Sequence, residues 1–402
     1  MRAVELYAGA GGLALGVGLA GFKPLAVVEW DKWACDTVRE NQRRGYPLVG
    51  DWPLHEGDVR AFDWSSIQSD IDLLAGGPPC QPFSMGGKHR AHDDHRDMFP
   101  ATVEIIRRLR PKAFIVENVK GLTRASFANY YQHILLQLEF PEIVRRKTES
   151  WFDHFMRLQK RKTAGGSKGL TYNVVPTLVN AADYGIPQKR ERVFMVGFRS
   201  DLGVEWSFPD ATHSHDALLY DQWVSGAYWD RHGLSAKSRP AAPPRMAAKI
   251  RRLKETPPTE LPWRTVRDAL AGLPDPESRK AKEYGNHRFQ DGARVYPGHT
   301  GSPLDLPAKT LKAGDHGVPG GENMMVRGDG SVRYFTVRES ARLQTFPDGY
   351  VFHGSWTETM RQLGNAVPVM LGRLVAASVA EKIIGARMSE LTKSVRARRQ
   401  TA

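Results

Sequence analysis

The sequence predicts an α/β fold, an open sheet with helices on both faces, together with a smaller irregular domain. Short apolar runs that end in glycine or a polar residue indicate buried strands. After about residue 200 the sequence pattern changes: nine prolines lie from Ser207 to Pro276, and long strand-like runs are absent there. The runs that predict strands are 4–7, 25–29, 71–75, 113–119, 173–180 and 193–198.

The composition narrows the class of protein. Two cysteines in 402 residues exclude a disulfide framework and a cysteine-based zinc cluster, which fits a reducing cytoplasm. The net charge of +13 favours a polyanionic partner, nucleic acid before membrane. The chain opens without a signal-peptide pattern, and we expect no apolar stretch long enough to span a membrane.

A glycine-rich turn follows the first strand. The glycines let the backbone turn sharply and approach a ligand before a helix begins. Glu29 ends the second strand twenty residues after Gly9, the spacing at which a carboxylate accepts from ribose hydroxyls in dinucleotide-binding folds. The sequence therefore predicts an adenosine-containing cofactor. Because Gly9, Gly11 and Ala14 also satisfy a loose dinucleotide pattern, a nicotinamide enzyme stays open at this point.

Trp30 and Asp58 each have two interpretations, and Asp31 has a local structural role. Trp30 can stack on an adenine or pack in the core, and Asp58 can bind an adenine amino group or cap a turn. Asp31 is predicted to N-cap a helix over 32–42.

The stretch 76–84 presents Cys80 where the strand over 71–75 ends. Two prolines before Cys80 and one after Gln81 stiffen the turn, which suits a nucleophile, although a free cysteine is often only a small buried residue. Residues 84–97 follow as a predicted loop and lid, before a helix over 99–109. Their histidines and aspartates fit no standard metal-ligand spacing, so we expect no metal.

Two further strands carry charged groups at their ends. Glu117 ends the apolar strand over 113–119, where a carboxylate is costly without a task or a partner. Arg192 directly precedes the apolar strand over 193–198 and should point into the cleft.

Basic segments lie outside these motifs. Residues 145–162 hold seven Lys or Arg against two acids and predict an exposed amphipathic helix, which either contacts phosphates or is a solvated face. Residues 237–254 hold seven Lys or Arg and no acid, and they lie within the irregular domain, which we expect to bind nucleic acid. A last apolar helix over about 369–384 should pack back on the first sheet, with a frayed basic tail after it.

Taken in order, these motifs resemble those of the DNA (cytosine-5) methyltransferases of bacterial modification systems. The matching stretches are 5–12, 29–31, 57–59, 77–81, 117–119, 188–192, 338–348 and 364–368. The resemblance implies a Rossmann-like sheet dependent on S-adenosylmethionine over 1–198, a target-recognition domain over 199–350, and a C-terminal segment over 351–402 that packs back on the catalytic domain. The distance from Glu117 to Gln188 is longer than in compact members, with the excess in the basic stretch 141–170.

The resemblance also implies roles for residues. The implied catalytic residues are Cys80, Glu117, Arg190 and Arg192. The implied cofactor contacts are Tyr7 (where the family usually has Phe), Ala8, Gly9, Gly11, Gly12, Leu13, Glu29, Trp30, Asp58, Val59, Pro78, Asn365, Ala366 and Val367. The implied DNA contacts are Gln81, Ser84, Arg96 and Gln188.

The chemistry explains why these residue types are needed. A Cys80 thiolate adding to C6 of cytosine makes C5 nucleophilic, Glu117 shares a proton with N3, and arginines hold the ring. The base must leave the duplex to be reached. We therefore expect a monomeric cytoplasmic enzyme acting on double-stranded DNA, with a cognate restriction endonuclease that shares its target.

Three rival functions are weaker. A nicotinamide oxidoreductase leaves Cys80, Glu117 and Arg192 unexplained. An inactive DNA-binding protein would be expected to have lost Cys80 or Glu117. A tRNA-methylating relative would carry a Cys-Phe-Thr signature, which is absent.

Overall fold

The computed structural model describes residues 1–79, 97–165, 169–297, 300–313 and 323–400, with side chains to Lys393. The chain divides into two compact units. The first comprises Met1–Val179, Glu191–Pro209 and Gly372–Ala402, and the second comprises Asn180–Arg190 and Asp210–Leu371. The predicted domain bounds differ from this division, because the segment from 180 to 190 groups with the second unit and the final segment joins the first only from Gly372.

The first unit is built on a sheet that has seven strands within the described residues, in the order β3-β2-β1-β4-β5-β7-β6. Its strands are β1 (Arg2–Leu6), β2 (Lys23–Glu29), β3 (Leu54–Glu56), β4 (Leu73–Gly76), β5 (Ala113–Val119), β6 (Tyr172–Asn180) and β7 (Glu191–Arg199). Its helices are α1 (Gly12–Leu19), α2 (Lys32–Arg43), α3 (Phe99–Leu109), α4 (Ala128–Glu139), α5 (Trp151–Ala164) and most of α12 (Val369–Gln400).

The register brings the ends of the central strands to one edge. Strand β1 lies between β2 and β4 and runs parallel to both, with Leu6 opposite Val28 and Gly76. Strand β4 is parallel to β5, whereas β7 runs antiparallel to β5. The carboxyl ends of β1, β2, β4 and β5 therefore share an edge, the place where open α/β sheets bind ligands.

Helix boundaries follow local chemistry that the sequence displays. The carboxylate of Asp31 accepts the main-chain N–H of Ala34 and caps α2, as predicted. Gly11, with φ of 88°, directly precedes α1. Glycine adopts this left-handed backbone conformation at little energetic cost, because it has no Cβ. Helix α3 ends at Arg110, which is left-handed with φ of 48°.

The core of the first unit fills one face of the sheet with side chains from α3 and α4. Val4 and Leu6 of β1 pack in one cluster with Phe99 and Ile106 of α3 and Ile134 of α4. On α12 the buried residues recur at helical spacing: Leu371, Val375, Val379 and Ile383.

The C-terminal helical stretch corrects two expectations. Among the described residues, Trp356–Lys393 is long and apolar enough to cross a membrane by length and composition, although none was expected. Most of its apolar window is buried inside the protein, as in the core helix of a globular protein. The helix also continues to Gln400, where the sequence predicted a frayed tail.

The second unit has little extended structure, in line with its prolines. Its strands are β8 (His213–Ser214), β9 (Leu261–Pro262), β10 (Met324–Val326) and β11 (Val332–Tyr334), and its helices are α6 (His215–Trp223), α7 (Ala227–Arg231), α8 (Ala247–Glu255), α9 (Val266–Leu270), α10 (Val337–Leu343) and α11 (Trp356–Asn365). A buried ion pair between Arg333 and Glu339 fixes the start of α10. The guanidinium of Arg338, also buried, donates to the carbonyls of Gly285, Pro347 and Tyr350.

Candidate active site

The turn after β4 is held from the neighbouring strand. Asn118 Nδ2 donates to the carbonyl of Pro78 over 3.0 Å, and Asn118 Oδ1 accepts the N–H of Val119. Cys80 lies outside the described residues, as do Gln81, Ser84 and Arg96. The described chain thus places the residues that lead to Cys80 at the carboxyl edge of the sheet.

Gly77 allows Glu117 to lie against this turn. A Cβ added at Gly77 would come within 3.0 Å of Glu117 Oε2. This separation is tighter than ordinary carbon–oxygen contact, so a larger residue at position 77 would displace the carboxylate.

Glu117 and Arg192 form a buried ion pair between β5 and β7. The distance from Arg192 Nε to Glu117 Oε1 is 2.9 Å, with side-chain exposures of 11% and 9% respectively. Burial lowers the pKa of Arg192, and the neighbouring Glu117 charge opposes that effect. A guanidinium ionises far above neutral pH, so it stays charged beside the carboxylate. The sequence predicted both residues for the site but not that they would pair.

Glu29 organises the glycine-rich turn. Its Oε2 accepts the N–H of Gly9 over 2.7 Å, and its Oε1 accepts the N–H groups of Trp30 at 2.9 Å and Asp31 at 2.7 Å. Burial raises the pKa of Glu29, while these three N–H groups favour its charged form. Gly9 has φ of 54°, and among the described residues no atom beyond its chain neighbours lies within 4 Å of a Cβ built at Gly9, so open space lies beside the turn.

Tyr7 adopts an uncommon backbone conformation at the end of β1. Its φ is 54°, in the left-handed region that non-glycine residues seldom occupy outside functional sites. Its hydroxyl lies 3.3 Å from the carbonyl of Met98 and 3.1 Å from Thr102 Oγ1. Burial raises the pKa of Tyr7, so the phenol stays neutral.

Two predicted cofactor contacts have definite surroundings. Trp30 is 73% exposed, which removes the core-packing interpretation and leaves its ring accessible. The carboxylate of Asp58 receives Arg60 Nε at 3.0 Å on each oxygen, and this hydrogen bonding lowers the pKa of Asp58. Asp58 is therefore engaged by a residue two positions away, an ion pair that the sequence analysis did not consider.

The remaining predicted cofactor contacts of the first unit are buried. Val59 accepts the indole N–H of Trp64 at its carbonyl over 2.8 Å. The other buried members are Ala8, Gly11, Gly12, Leu13 and Pro78.

Two predicted site residues have structural tasks in the second unit. Arg190 is completely buried and donates to the carbonyls of Leu311 at 3.2 Å, Gly364 at 2.7 Å and Ala366 at 2.9 Å. These contacts give no support to its predicted catalytic role.

Gln188 is likewise completely buried. Its amide nitrogen donates to Gln344 Oε1 over 3.1 Å and its oxygen accepts the N–H of Leu311 over 2.9 Å. An amide used in this way is not presented to DNA, so the predicted contact is not supported. Asn365, Ala366 and Val367 follow α11 in the same unit, with Asn365 exposed.

The structure also adds residues that the sequence analysis did not assign. Asn118 holds the turn after β4 and Gly77 lies against Glu117. The sequence signal for Asn118 was its place beside Glu117 at a strand end. Glu5 of β1 is 1% exposed, neither carboxylate oxygen has a hydrogen-bond partner among the described residues, and burial raises its pKa to about 8. An acid inside an apolar strand was the available signal. Within the part of the chain described, no group of three His, Cys, Asp or Glu could hold a metal ion.

Comparison with known proteins decides the family. The sequence model of the C-5 cytosine-specific DNA methylase family matches residues 1–141 and 162–383. The chain belongs to this family. It is therefore an enzyme that methylates cytosine at C5 in DNA.

Individual relatives agree with this assignment. The chain is 31% identical to the type II methyltransferase M.NgoMIV of Neisseria gonorrhoeae over 96% of its own length and 98% of the relative's. It is 32% identical to the type II methyltransferase M.Eco47II of Escherichia coli over 94% and 78%. A crystal structure from E. coli, described as a candidate DNA modification methyltransferase encoded within a prophage, has the same fold, with a TM-score of 0.58 and 19% identity over 95% of this chain and 99% of that one. The predicted α/β fold is confirmed.

Proposed function

We propose that the methyl donor is S-adenosylmethionine, bound at the carboxyl edge of β1 and β2. This proposal rests on the surroundings of the Glu29 carboxylate. Its carboxylate is buried and oriented by three N–H groups, and among the described residues Oε2 receives only the N–H of Gly9, which leaves room for a ribose hydroxyl. The open space beside Gly9 fits a ligand that lies against the backbone.

Other residues would hold the remaining parts of the donor. Trp30 offers an exposed ring to the adenine, and Asp58 can accept from its amino group once Arg60 turns away. When bound, S-adenosylmethionine supplies a methyl group on a sulfonium, which an activated cytosine C5 can accept.

The base chemistry belongs to Cys80, Glu117 and Arg192. The Cys80 thiolate adds to C6, which forms the S–C6 bond and makes C5 nucleophilic; after methylation the C5 proton leaves to water and the S–C6 bond breaks. Arg192 binds Glu117 at Oε1, whereas Oε2 faces Gly77 and the turn that leads to Cys80. We assign Oε2 to N3 of the base. The two groups take up one proton from solvent as the base binds; this proton lies between Oε2 and N3, offsets the negative charge that develops when the thiolate adds, and is released when the S–C6 bond breaks.

The biological setting follows from this activity. We propose that the enzyme acts as a monomer on duplex DNA in the cytoplasm and protects a sequence from a cognate restriction endonuclease. The curated relatives named above as type II methyltransferases support this setting.

Sequencing of bisulfite-treated DNA from cells that express the chain tests the proposal. Protected cytosines should occur within one short sequence and should be absent with Cys80→Ser. In vitro, transfer of label from S-adenosylmethionine methyl to that sequence should follow the same pattern. Methylation that required a different donor would contradict the cofactor assignment.

A further inference from the structure

One segment of the catalytic unit is not explained by the family's common chemistry. The family model leaves residues 142–161 unmatched. This segment contains most of α5 and the loop before it, and it is strongly basic. Its role must therefore be sought in its own contacts.

The cations of this segment, together with Lys162 directly after it, fall into two classes, and the first class is structural. Arg157 makes two bonds of 2.8 Å to the carboxylate of Glu149, and Lys162 lies 2.7 Å from Glu139 Oε2. These pairs hold α5 to its own loop and to α4.

The second class has no carboxylate partner. Within the described ranges, five cations between residues 145 and 161 make no ion pair, and four of them are exposed. They are Arg145, Arg146, Lys147, Lys160 and Arg161.

Helix α5 is anchored on one face and open on the other. Phe155 and Leu158 are buried against Leu136 of α4. Phe152 and Met156, one helical turn apart, are each 48% exposed. We call the five cations together with Phe152 and Met156 the α5 surface.

The direction of α5 relates this surface to the active site. The Trp151 ring packs 5.6 Å from that of Tyr130, and Lys162 pairs with Glu139 further along α4, so the two helices run parallel. The Tyr130 hydroxyl donates to Asp97, at the start of the described chain after Cys80. The N-terminal end of α5 thus lies on the side of the unit where the segment carrying Cys80 rejoins the fold.

We propose that the α5 surface is a second contact to the DNA substrate, made on duplex that flanks the target sequence. Guanidinium and ammonium groups bind phosphates, and Phe152 and Met156 meet the apolar edges of the sugars. An acidic protein would satisfy the charge as well, but duplex DNA is the polyanion on which this family acts. The inference rests on the proposed function, since it requires the chain to bind duplex DNA.

The length of α5 indicates how much duplex such a contact could cover. A helix of the length of α5 spans about 21 Å, which corresponds to about six base pairs of duplex. A contact of this length on the flanking duplex needs phosphates outside a short target sequence, so it should matter only on DNA long enough to supply them.

The test compares wild type with a variant in which all five cations are replaced by Gln. Binding is measured on a duplex of about 12 base pairs limited to the target and on one of about 40. On the long duplex we expect affinity to fall about tenfold or more and the slope of log K against log[salt] to fall by about 0.9 for each lost contact. On the short duplex we expect affinity and kcat to change by less than about twofold, and Tm should be unchanged because the five side chains make no ion pair with any described residue.

A matched pair of variants on the same helix separates contact from net charge. Lys160→Gln with Arg161→Gln, and Arg157→Gln with Lys162→Gln, each remove two positive charges. The first pair should weaken binding to the long duplex, whereas the second should lower Tm and leave binding within about twofold. Equal binding losses for both pairs, or unchanged long-duplex affinity in the five-substitution variant, would overturn the proposal. Wild type that fails to methylate any cytosine would instead overturn the proposed function.

Discussion

Arg192 Nε lies 2.9 Å from Glu117 Oε1, across two antiparallel strands and almost out of contact with water. Burial of such a pair costs desolvation free energy. Removal of one partner also lowers the free energy of unfolding, because the other charge stays buried without compensation. Its position beside the turn to Cys80 makes it the electrostatic centre of the site.

Replacement of Arg192 by Gln should lower stability and abolish most activity. The free energy of unfolding should fall by about 3–5 kcal/mol, because Glu117 keeps its burial and loses the guanidinium. The turnover rate should fall about a hundredfold or more. Arg199→Gln on the same strand is the control: its pair with Asp201 is more exposed, so it should cost less than about 1 kcal/mol. Similar losses for both variants, by urea unfolding and methyl-transfer assays, would remove the special role of Arg192.

Replacement of Gly77 by Ala should reduce turnover more than stability. The added methyl group would press on Glu117 Oε2 and shift the carboxylate, and a displacement of about 1 Å can cost about a hundredfold in rate. Gly50→Ala serves as control, since its Cβ would meet only the carbonyl of Tyr46 at 3.8 Å. Wild-type kcat in Gly77→Ala would contradict the close approach of turn and carboxylate.

Replacement of Glu29 by Ala should weaken binding of S-adenosylmethionine by about 1.5–3 kcal/mol through loss of a charge-assisted bond. Titration calorimetry measures this directly. Glu56→Ala, on the neighbouring strand and opposite Glu29 in register, should bind the cofactor normally. Unchanged affinity in Glu29→Ala would exclude Glu29 from the cofactor site.

Two buried histidines between α4 and α5 predict a loss of stability in acid. His154 Nε2 lies 2.6 Å from the carbonyl of Ile143 and must donate to it, so His154 Nδ1 accepts from His133 Nε2 at 3.0 Å. His133 Nδ1 then accepts from Gln137 Nε2. Both rings are neutral in this network. Burial lowers the pKa of His133 to about 3, with the cationic neighbour Arg145 acting in the same direction.

The sign of the effect follows from linkage. The folded-state pKa of His133 lies below the unfolded value of about 6.5, so its contribution is complete above pH 6.5 and is lost as pH falls toward 3. Between pH 7.5 and 5 the loss from His133 is about 2 kcal/mol. His133→Gln keeps an amide donor without a titrating group, so urea unfolding should show a smaller difference between the two pH values. The same pH dependence in both proteins would contradict the buried neutral pair.

The predictable part of the fold and site rests on local patterns. Apolar runs predicted six of the seven strands described in the sheet but missed the short strand β3, and the predicted N-cap at Asp31 is confirmed. The spacing from Gly9 to Glu29 singled out two residues that the structure joins by a hydrogen bond, while the ribose contact stays a prediction. Arg190 and Gln188 were assigned from a motif shared with Arg192, yet their partners lie more than a hundred residues away, and no local signal reveals those carbonyls.

Two sets of side-chain ion pairs could not be predicted from the sequence, for different reasons. The pair between Asp58 and Arg60 is local, but its competition with a ligand depends on side-chain rotamers. In the basic stretch before β6, charge counting alone could not separate Arg157, which is paired, from Arg161, which makes no ion pair among the described residues. That distinction depends on the conformation of the loop before α5, which brings Glu149 to Arg157.

The central claim is that Cys80 attacks C6 of the target cytosine, and trapping of the covalent adduct tests it most directly. Fluorine at C5 cannot leave as the proton does, so with S-adenosylmethionine and a target duplex containing 5-fluorocytosine the enzyme should stall as a denaturant-stable adduct. We predict a shifted protein band on a denaturing gel that requires both the cofactor and Cys80. Cys80→Ser should bind DNA and cofactor normally and give no band. A band that persists in Cys80→Ser, or never forms with wild type on methylatable DNA, would contradict the account.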